Sequence, residues 1–321
     1  IIATGTGNDR VWGGLGNDVI FTFEGQDQLY GEGHDDKLFG GLGNDYLDGD
    51  WGNDILDENK DRVDPGTPTG ETNTLIGGPG ADVILGSPGV DTITGGSQND
   101  VLVGGASDDL YIFDNGYGTD RFVDYNGMAT LDFSRVTVSM QLSMSNTGLQ
   151  ALAGPGNDLS ADAFVSIKEV NLGSGGDYFA ITTLPTHPLD ITDAGGSDIY
   201  DFDFVAPAGD PNVPQQTDAI VRIVDDVVNN DGVADRIDLD IDSAGSDIYV
   251  HPLEVMLDNL HISFNTGIEL FNLTDHAPQT TVTTSPTSGP PNLLIKTGVS
   301  IRSATGGAIE LLARDDFTLQ A

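Results

Sequence analysis

The chain has 321 residues, with 12 Lys+Arg against 51 Asp+Glu, a formal net charge of -39, 43 glycines and no cysteine. That balance argues against nucleic acid as a partner, because phosphate recognition depends on clustered Lys and Arg. The lack of cysteine excludes disulfide staples and thiol chemistry, and no uninterrupted apolar run approaches the ~18 residues of a membrane span.

Nearly all the acids are aspartate. An unstructured acidic tail would use glutamate freely, whereas aspartate suits tight turns and hard cations that take oxygen ligands. An acidic surface of the halophile type is the alternative source of the charge, but it leaves a recurrence at every ninth residue unexplained. A chain this acidic repels itself, and bound cations are the natural remedy. It does not begin with methionine and carries no signal-peptide pattern, so Ile1 is expected to start a fragment or a processed chain.

From Thr4 to Asp57 one nine-residue pattern, G-G-x-G-x-D-x-(apolar)-x, recurs in register. Its units begin at Thr4, Gly13, Thr22, Gly31, Gly40 and Gly49, and it resumes at Gly77, Gly86, Gly95 and Gly104. Position six is always aspartate: Asp9, Asp18, Asp27, Asp36, Asp45, Asp54, Asp82, Asp91, Asp100 and Asp109. Position eight is always apolar, from Val11, Ile20 and Leu29 through Leu38, Leu47, Leu56, Ile84, Ile93 and Leu102 to Tyr111.

The first six residues of a unit favour turns, and the last three form a short strand of period two. Turn plus strand, repeated, predicts an all-β parallel coil with two units per circuit, each circuit adding ~4.8 Å, the spacing of neighbouring strands. Every second aspartate then falls in one column: Asp9, Asp27 and Asp45 on one edge, Asp18, Asp36 and Asp54 on the other. Carboxylates stacked so closely repel strongly unless positive charge lies between them. Ca²⁺ suits the place, since it accepts ~6–8 oxygens and glycine turns can aim carbonyls inward; Mg²⁺ demands a tighter octahedron and suits it worse. The bland alternative is that the repeats form a solenoid's turns without a specific metal, although Asn could make such turns without the repulsion.

This nonapeptide resembles the RTX, or hemolysin-type calcium-binding, repeat, closely over residues 4–57 and 77–112. The resemblance implies a right-handed parallel β-roll stacked on several Ca²⁺ ions. The pairs Asp9/Asp27, Asp27/Asp45, Asp18/Asp36, Asp36/Asp54, Asp82/Asp100 and Asp91/Asp109 would each flank an ion. Turn carbonyls would complete the coordination, those of Gly14, Gly16, Gly31, Gly41, Gly43, Gly78, Gly80 and Gly96 among them. It also implies export by type I secretion machinery and an extracellular or bacterial cell-surface location. Phe23, His34, Gln98 and Ser107 depart from the pattern, so their units are expected to bulge or bind more weakly. Asp35, Asp48, Asp50 and Asp57, outside position six, are expected to be solvated.

Five segments follow: a first roll block (1–57), a loop insertion (58–76), a second block (77–126), a degenerate β-rich region (127–276) and a C-terminal β segment (277–321). The insertion is read as a loop thrown out of one continuing roll, with a hinge between two rolls as the alternative. The run from Asp109 to Asp120 looks like the D-x-Y-x-F-x-x-G-x-G-x-D closure of RTX blocks, and its aromatics are expected to cap the roll. Degenerate echoes at Gly173–Phe179, Ala194–Tyr200 and Ala244–Tyr249 leave calcium at Asp177, Asp198 and Asp247 an open question. Asn229-Asn230-Asp231-Gly232 is an imperfect calcium loop or a plain turn, with Val227 where the first aspartate belongs and Asp226 reachable only through a bulge. Residues 277–292 read as a Pro/Thr/Ser linker, and the ending Asp315–Ala321 looks like a type I secretion signal or an ordinary terminal strand.

No catalytic constellation stands out. The histidines lack HExxH spacing, no serine sits in G-x-S-x-G, and the repeat aspartates share one environment instead of the two that an acid-base pair needs. The expectation is a secreted, non-enzymatic calcium-binding protein serving as a structural or surface element of adhesin, S-layer or filament type. Its contacts would be with itself, a cell surface or a polysaccharide. The alternative is the non-catalytic C-terminal secretion and folding module of a type I-secreted protease, lipase or epimerase.

Overall fold

The computed structural model describes residues 1–58, 70–125, 127–145, 148–153, 158–161, 166–182, 187–196, 198–203 and 219–224, and strand segments alone from residue 235 onward. The chain divides into two compact units, one of Ile1–Val138 with Thr147–Leu172 and one of Ser139–Asn146 with Gly173–Ala321. No helix occurs among the described residues.

The first unit is the expected parallel roll. Successive strands alternate between two sheets, so that Val19–Phe21 pairs with Lys37–Phe39 and then Ile55–Asp57, while Arg10–Leu15 pairs with Gln28–Gly33 and then Tyr46–Asp48. All these pairings are parallel, and Ile20 lies opposite Leu38 as Leu29 lies opposite Leu47. The register step is therefore two nonapeptides. The position-eight side chains of Ile20, Leu29, Leu38, Leu47, Leu56, Ile84, Ile93, Leu102 and Tyr111 are fully buried. Each buried Leu or Ile contributes about 2 kcal/mol relative to exposure, which makes a thin two-faced core the main apolar support of a glycine-rich chain.

The stack runs through the insertion. Leu47 pairs with Leu75 and Leu56 with Ile84, so the register step lengthens there while the sheets continue. Asn73–Ile76, which already resembles the end of a repeat in the sequence, completes a unit with Glu58 at position one, Asn73 at position six and the fully buried Leu75 at position eight. The remainder of the insertion, 59–69, lies outside the described residues.

The aromatics of the second block do not end the stack. Leu110–Ile112 pairs with Met128–Asp132, which pairs in turn with Ser166–Asn171. Phe113 stacks on Phe133 at 4.6 Å and both are buried, so the rings fill the interior of the coil instead of covering its end. The coil persists because Leu131 and Val170 keep supplying buried position-eight side chains after the nine-residue spacing is lost.

The described elements of the second unit are β-strands as well. Gln141–Ser145, Tyr178–Ile181, Ile199–Asp203, Asp235–Ile241 and Ile268–Asp275 follow one another in parallel. One feature departs from the expected degenerate coil: Asp247–His251, Glu254–Leu257 and Leu260–Phe264 form an antiparallel meander. The expected linker 277–292 contains the strand Thr280–Thr283, paired with Ile309–Leu312, and Asp316–Leu319 pairs with Asn292–Ile295. The imperfect calcium loop around Asn229–Asp231, with Asp226, and the proline-rich stretch 206–216 lie outside the described residues, as does the side chain of Asp247.

Candidate metal centre

Most position-six aspartates divide their two oxygens between different tasks. Oδ1 of Asp27 accepts the backbone N–H of Asp9 at 2.8 Å, and the N–H of Asp27 donates to Oδ1 of Asp45 at 2.8 Å. The other column repeats this: Asp18 N–H donates to Asp36, and Asp36 N–H to Asp54, both at 2.7 Å. Followed along these bonds, one column is Asp9, Asp27, Asp45, Asn73, Asp91 and Asp109, and the other is Asp18, Asp36, Asp54, Asp82, Asp100 and Asp120. Asp54, the last of its block in the sequence, is thus an interior rung.

The second oxygen has no donor. Oδ2 of Asp9, Asp27, Asp36, Asp45, Asp54, Asp82, Asp100 and Asp109 is buried without a hydrogen-bond partner. Leaving a buried polar atom unpaired is costly, more so when it carries charge. Burial, opposed by the backbone N–H and reinforced by neighbouring aspartates, pushes Asp54 up to about 7, Asp82 to about 8 and Asp109 to about 9.

Position-one glycine makes room for a second oxygen. A Cβ at Gly31 would lie 2.5 Å from Oδ2 of Asp36 and 2.7 Å from the carbonyl oxygen of Gly49 in the next circuit. A carboxylate oxygen and a carbonyl therefore converge on one spot without a proton between them, and Gly49 stands in the same relation to Asp54 and Gly77. Converging oxygens with no donor fit a hard divalent cation, and the flexible ligand shell of Ca²⁺ suits the irregular geometry of a turn.

Of the other glycines singled out by the sequence, Gly14, Gly16, Gly41, Gly43, Gly78 and Gly96 hold positive φ, and Gly80 lies against the Gly52 carbonyl. His34, Gln98 and Ser107 adopt φ of 80°, 86° and 79° in place of glycine, so these units keep the turn at a conformational cost instead of bulging. Phe23 is not among the positive-φ residues.

One predicted ligand is differently engaged. Oδ1 of Asp91 accepts from Asn73 N at 3.0 Å and Nδ2 at 2.9 Å, and its Oδ2 accepts from Ser87 N at 2.7 Å. Hydrogen bonds close that rung where an amide replaces the stacked carboxylate. Asp48, expected to be solvated, is half-buried and accepts from the Tyr46 hydroxyl at 3.0 Å, because position nine faces a neighbouring aromatic. Asp35 and Asp50 are exposed as expected.

Sequence reasoning missed two devices. The side chain at position five clamps the circuit that follows: Asn8 accepts from Gln26 N at 2.9 Å, Asn53 from Ala81 N at 2.9 Å and Asn99 from Thr119 N at 3.0 Å. The recurrence of Asn before the repeat aspartate was its visible signal. The second device is an acid at position one in two units whose position six has lost its carboxylate. Glu58 precedes Asn73 in one unit and Asp124 precedes Ala129 in another, and both acids are buried. Glu58 and Asp45 converge on the spot that a Cβ at Gly40 would occupy, burial and that carboxylate raising Glu58 well above its ordinary range, and Asp124 lies close enough to Asp109 to raise it. Each acid restores the missing charge from a different position of the turn.

The model of the RTX calcium-binding nonapeptide repeat matches four times, over residues 3–33, 21–56, 69–102 and 85–120. Residues 3–56 and 69–120 are RTX repeats. No curated protein matches it. RTX repeats are calcium-binding, so the oxygen cradles beneath position-one glycines are candidate Ca²⁺ sites.

Proposed function

We propose that this RTX chain is exported with its aspartate columns uncompensated, folds on calcium outside the cell, and works there as a non-catalytic structural or surface-binding element. One observation carries the reading: eight repeat aspartates, spread over the two columns, whose buried second oxygens have no donor. Where calcium is scarce, those aspartates oppose burial and keep the chain open for passage. Bound calcium supplies the positive charge that lets the columns stack. The position-eight residues and position-five clamps then hold one circuit on the next, and metal binding is coupled to folding. Outward positions such as Trp12, Leu15 and Trp51 remain exposed and offer apolar contacts to a surface or a second copy.

Far-UV circular dichroism during calcium titration of the chelated chain tests this. A β spectrum that develops over the titration supports it, and one that is already complete without calcium would sink it. Magnesium acting as well as calcium at equal concentration would refute the ion assignment.

A further inference from the structure

The second unit holds an acid cluster that the nonapeptide repeats do not cover, since their last match ends at residue 120. Asp177, Asp193 and Asp198 are each at most 3% exposed, and one carboxylate oxygen from each lies within 4.8 Å of the others. Their backbone context is that of a roll rung. Met140 N–H donates to Oδ1 of Asp177 at 2.8 Å, and Asp177 N–H donates to Oδ1 of Asp198 at 2.5 Å, so the two stack as position-six aspartates do. Gly196, at position four of its turn, approaches the Gly175 carbonyl as position-four glycines of the repeats approach theirs.

Counting back from Asp198 through Ser197, Gly196, Gly195 and Ala194 puts Asp193 at position one, where the regular repeats have glycine. At Glu58 and Asp124 a position-one acid compensates for a lost position-six carboxylate. Here nothing has been lost, and the rung carries three acids instead of two. Asp193 Oδ1 accepts from Gly195 N at 3.2 Å, while Oδ2 of Asp193 and Oδ2 of Asp177 are buried without a hydrogen-bond partner. Two donorless oxygens held among three closely spaced carboxylates call for a cation, and calcium affinity rises with the number of ligand charges.

Building on the calcium reading of the repeats, we propose that Asp177, Asp193 and Asp198 form a three-carboxylate calcium site in the second unit, tighter than the two-carboxylate rungs of the repeats. Its role is to order the irregular coil, where the nine-residue pattern no longer does so.

Equilibrium dialysis of the full chain with radioactive calcium tests the site. The wild-type isotherm is expected to contain a small class of ions tighter than the rest, and Asp193→Asn to weaken one ion of that class by at least about tenfold. The amide preserves the acceptor for Gly195 and removes the charge. Asp193→Gly, which restores the repeat residue, is expected to do the same, with both variants checked for β content at saturating calcium. Unchanged count and affinity in either folded variant overturns the site, and so does a wild-type isotherm with no tighter class, whatever the variants do. A wild-type chain that binds no calcium at all refutes the underlying reading of the repeats instead.

Discussion

Remove calcium and the two columns should respond to pH in the sense opposite to most acidic proteins. In the ion-free fold, burial raises Asp82 from 3.8 to about 8, with Asp54 at about 7 and Asp100 at about 6 in the same column. For Asp82 alone that rise corresponds to on the order of 5 kcal/mol against the charged folded state, comparable to the whole stability of a typical domain. Because the folded values lie above the unfolded ones, the favourable contribution is fully present below about pH 4 and disappears as pH rises through about 6 to 8. The calcium-free chain should therefore hold most β structure near pH 4 and lose it toward pH 8, with protons standing in for calcium. The calcium-loaded chain should do the reverse, staying folded at pH 8 and releasing its ions as protons compete for the same oxygens. Far-UV circular dichroism of metal-stripped and calcium-saturated samples across this range reads both curves. A stripped chain with equal β content at both ends of the range would refute the reasoning, as would identical curves with and without calcium.

Three further outcomes follow from individual contacts. Gly31→Ala should cost about 1–3 kcal/mol and raise the calcium needed for folding, because the new methyl meets Asp36 Oδ2 and the Gly49 carbonyl; an unchanged calcium midpoint would remove that cradle from the metal centre. Asp36→Asn and Asp54→Asn, both interior rungs, should raise the folding midpoint more than Asp9→Asn at the start of a column, and equal losses in a calcium titration would speak against the continuous columns. Leu47→Ala should lose about 2–5 kcal/mol in denaturant unfolding at saturating calcium, since Leu47 is fully buried between strands on either side; a loss below about 1 kcal/mol would mean that the thin core carries little of the stability.

The repeat made much of the first unit legible. Position eight announced the core, because an apolar residue every nine positions has no other use in a chain of turns. The period also dictated the pairing of Asp9 with Asp27 and of Asp18 with Asp36, since a circuit of two units brings residues 18 apart into register. Tertiary structure had to decide the rest. Asp54 looked like an end because the pattern stops after it, yet its N–H finds Asp82 across 28 residues. Stacking matches hydrogen bonds and buried side chains, and a loop of any length can intervene at little entropic cost. Glu58, Asp124 and Asp193 were unreadable for a related reason. An acid at position one breaks the motif, and its meaning depends on the carboxylates brought beside it by the coil. Periodicity determined which residues line the core and the edges; the cumulative register of the stack decided which acids share a cradle.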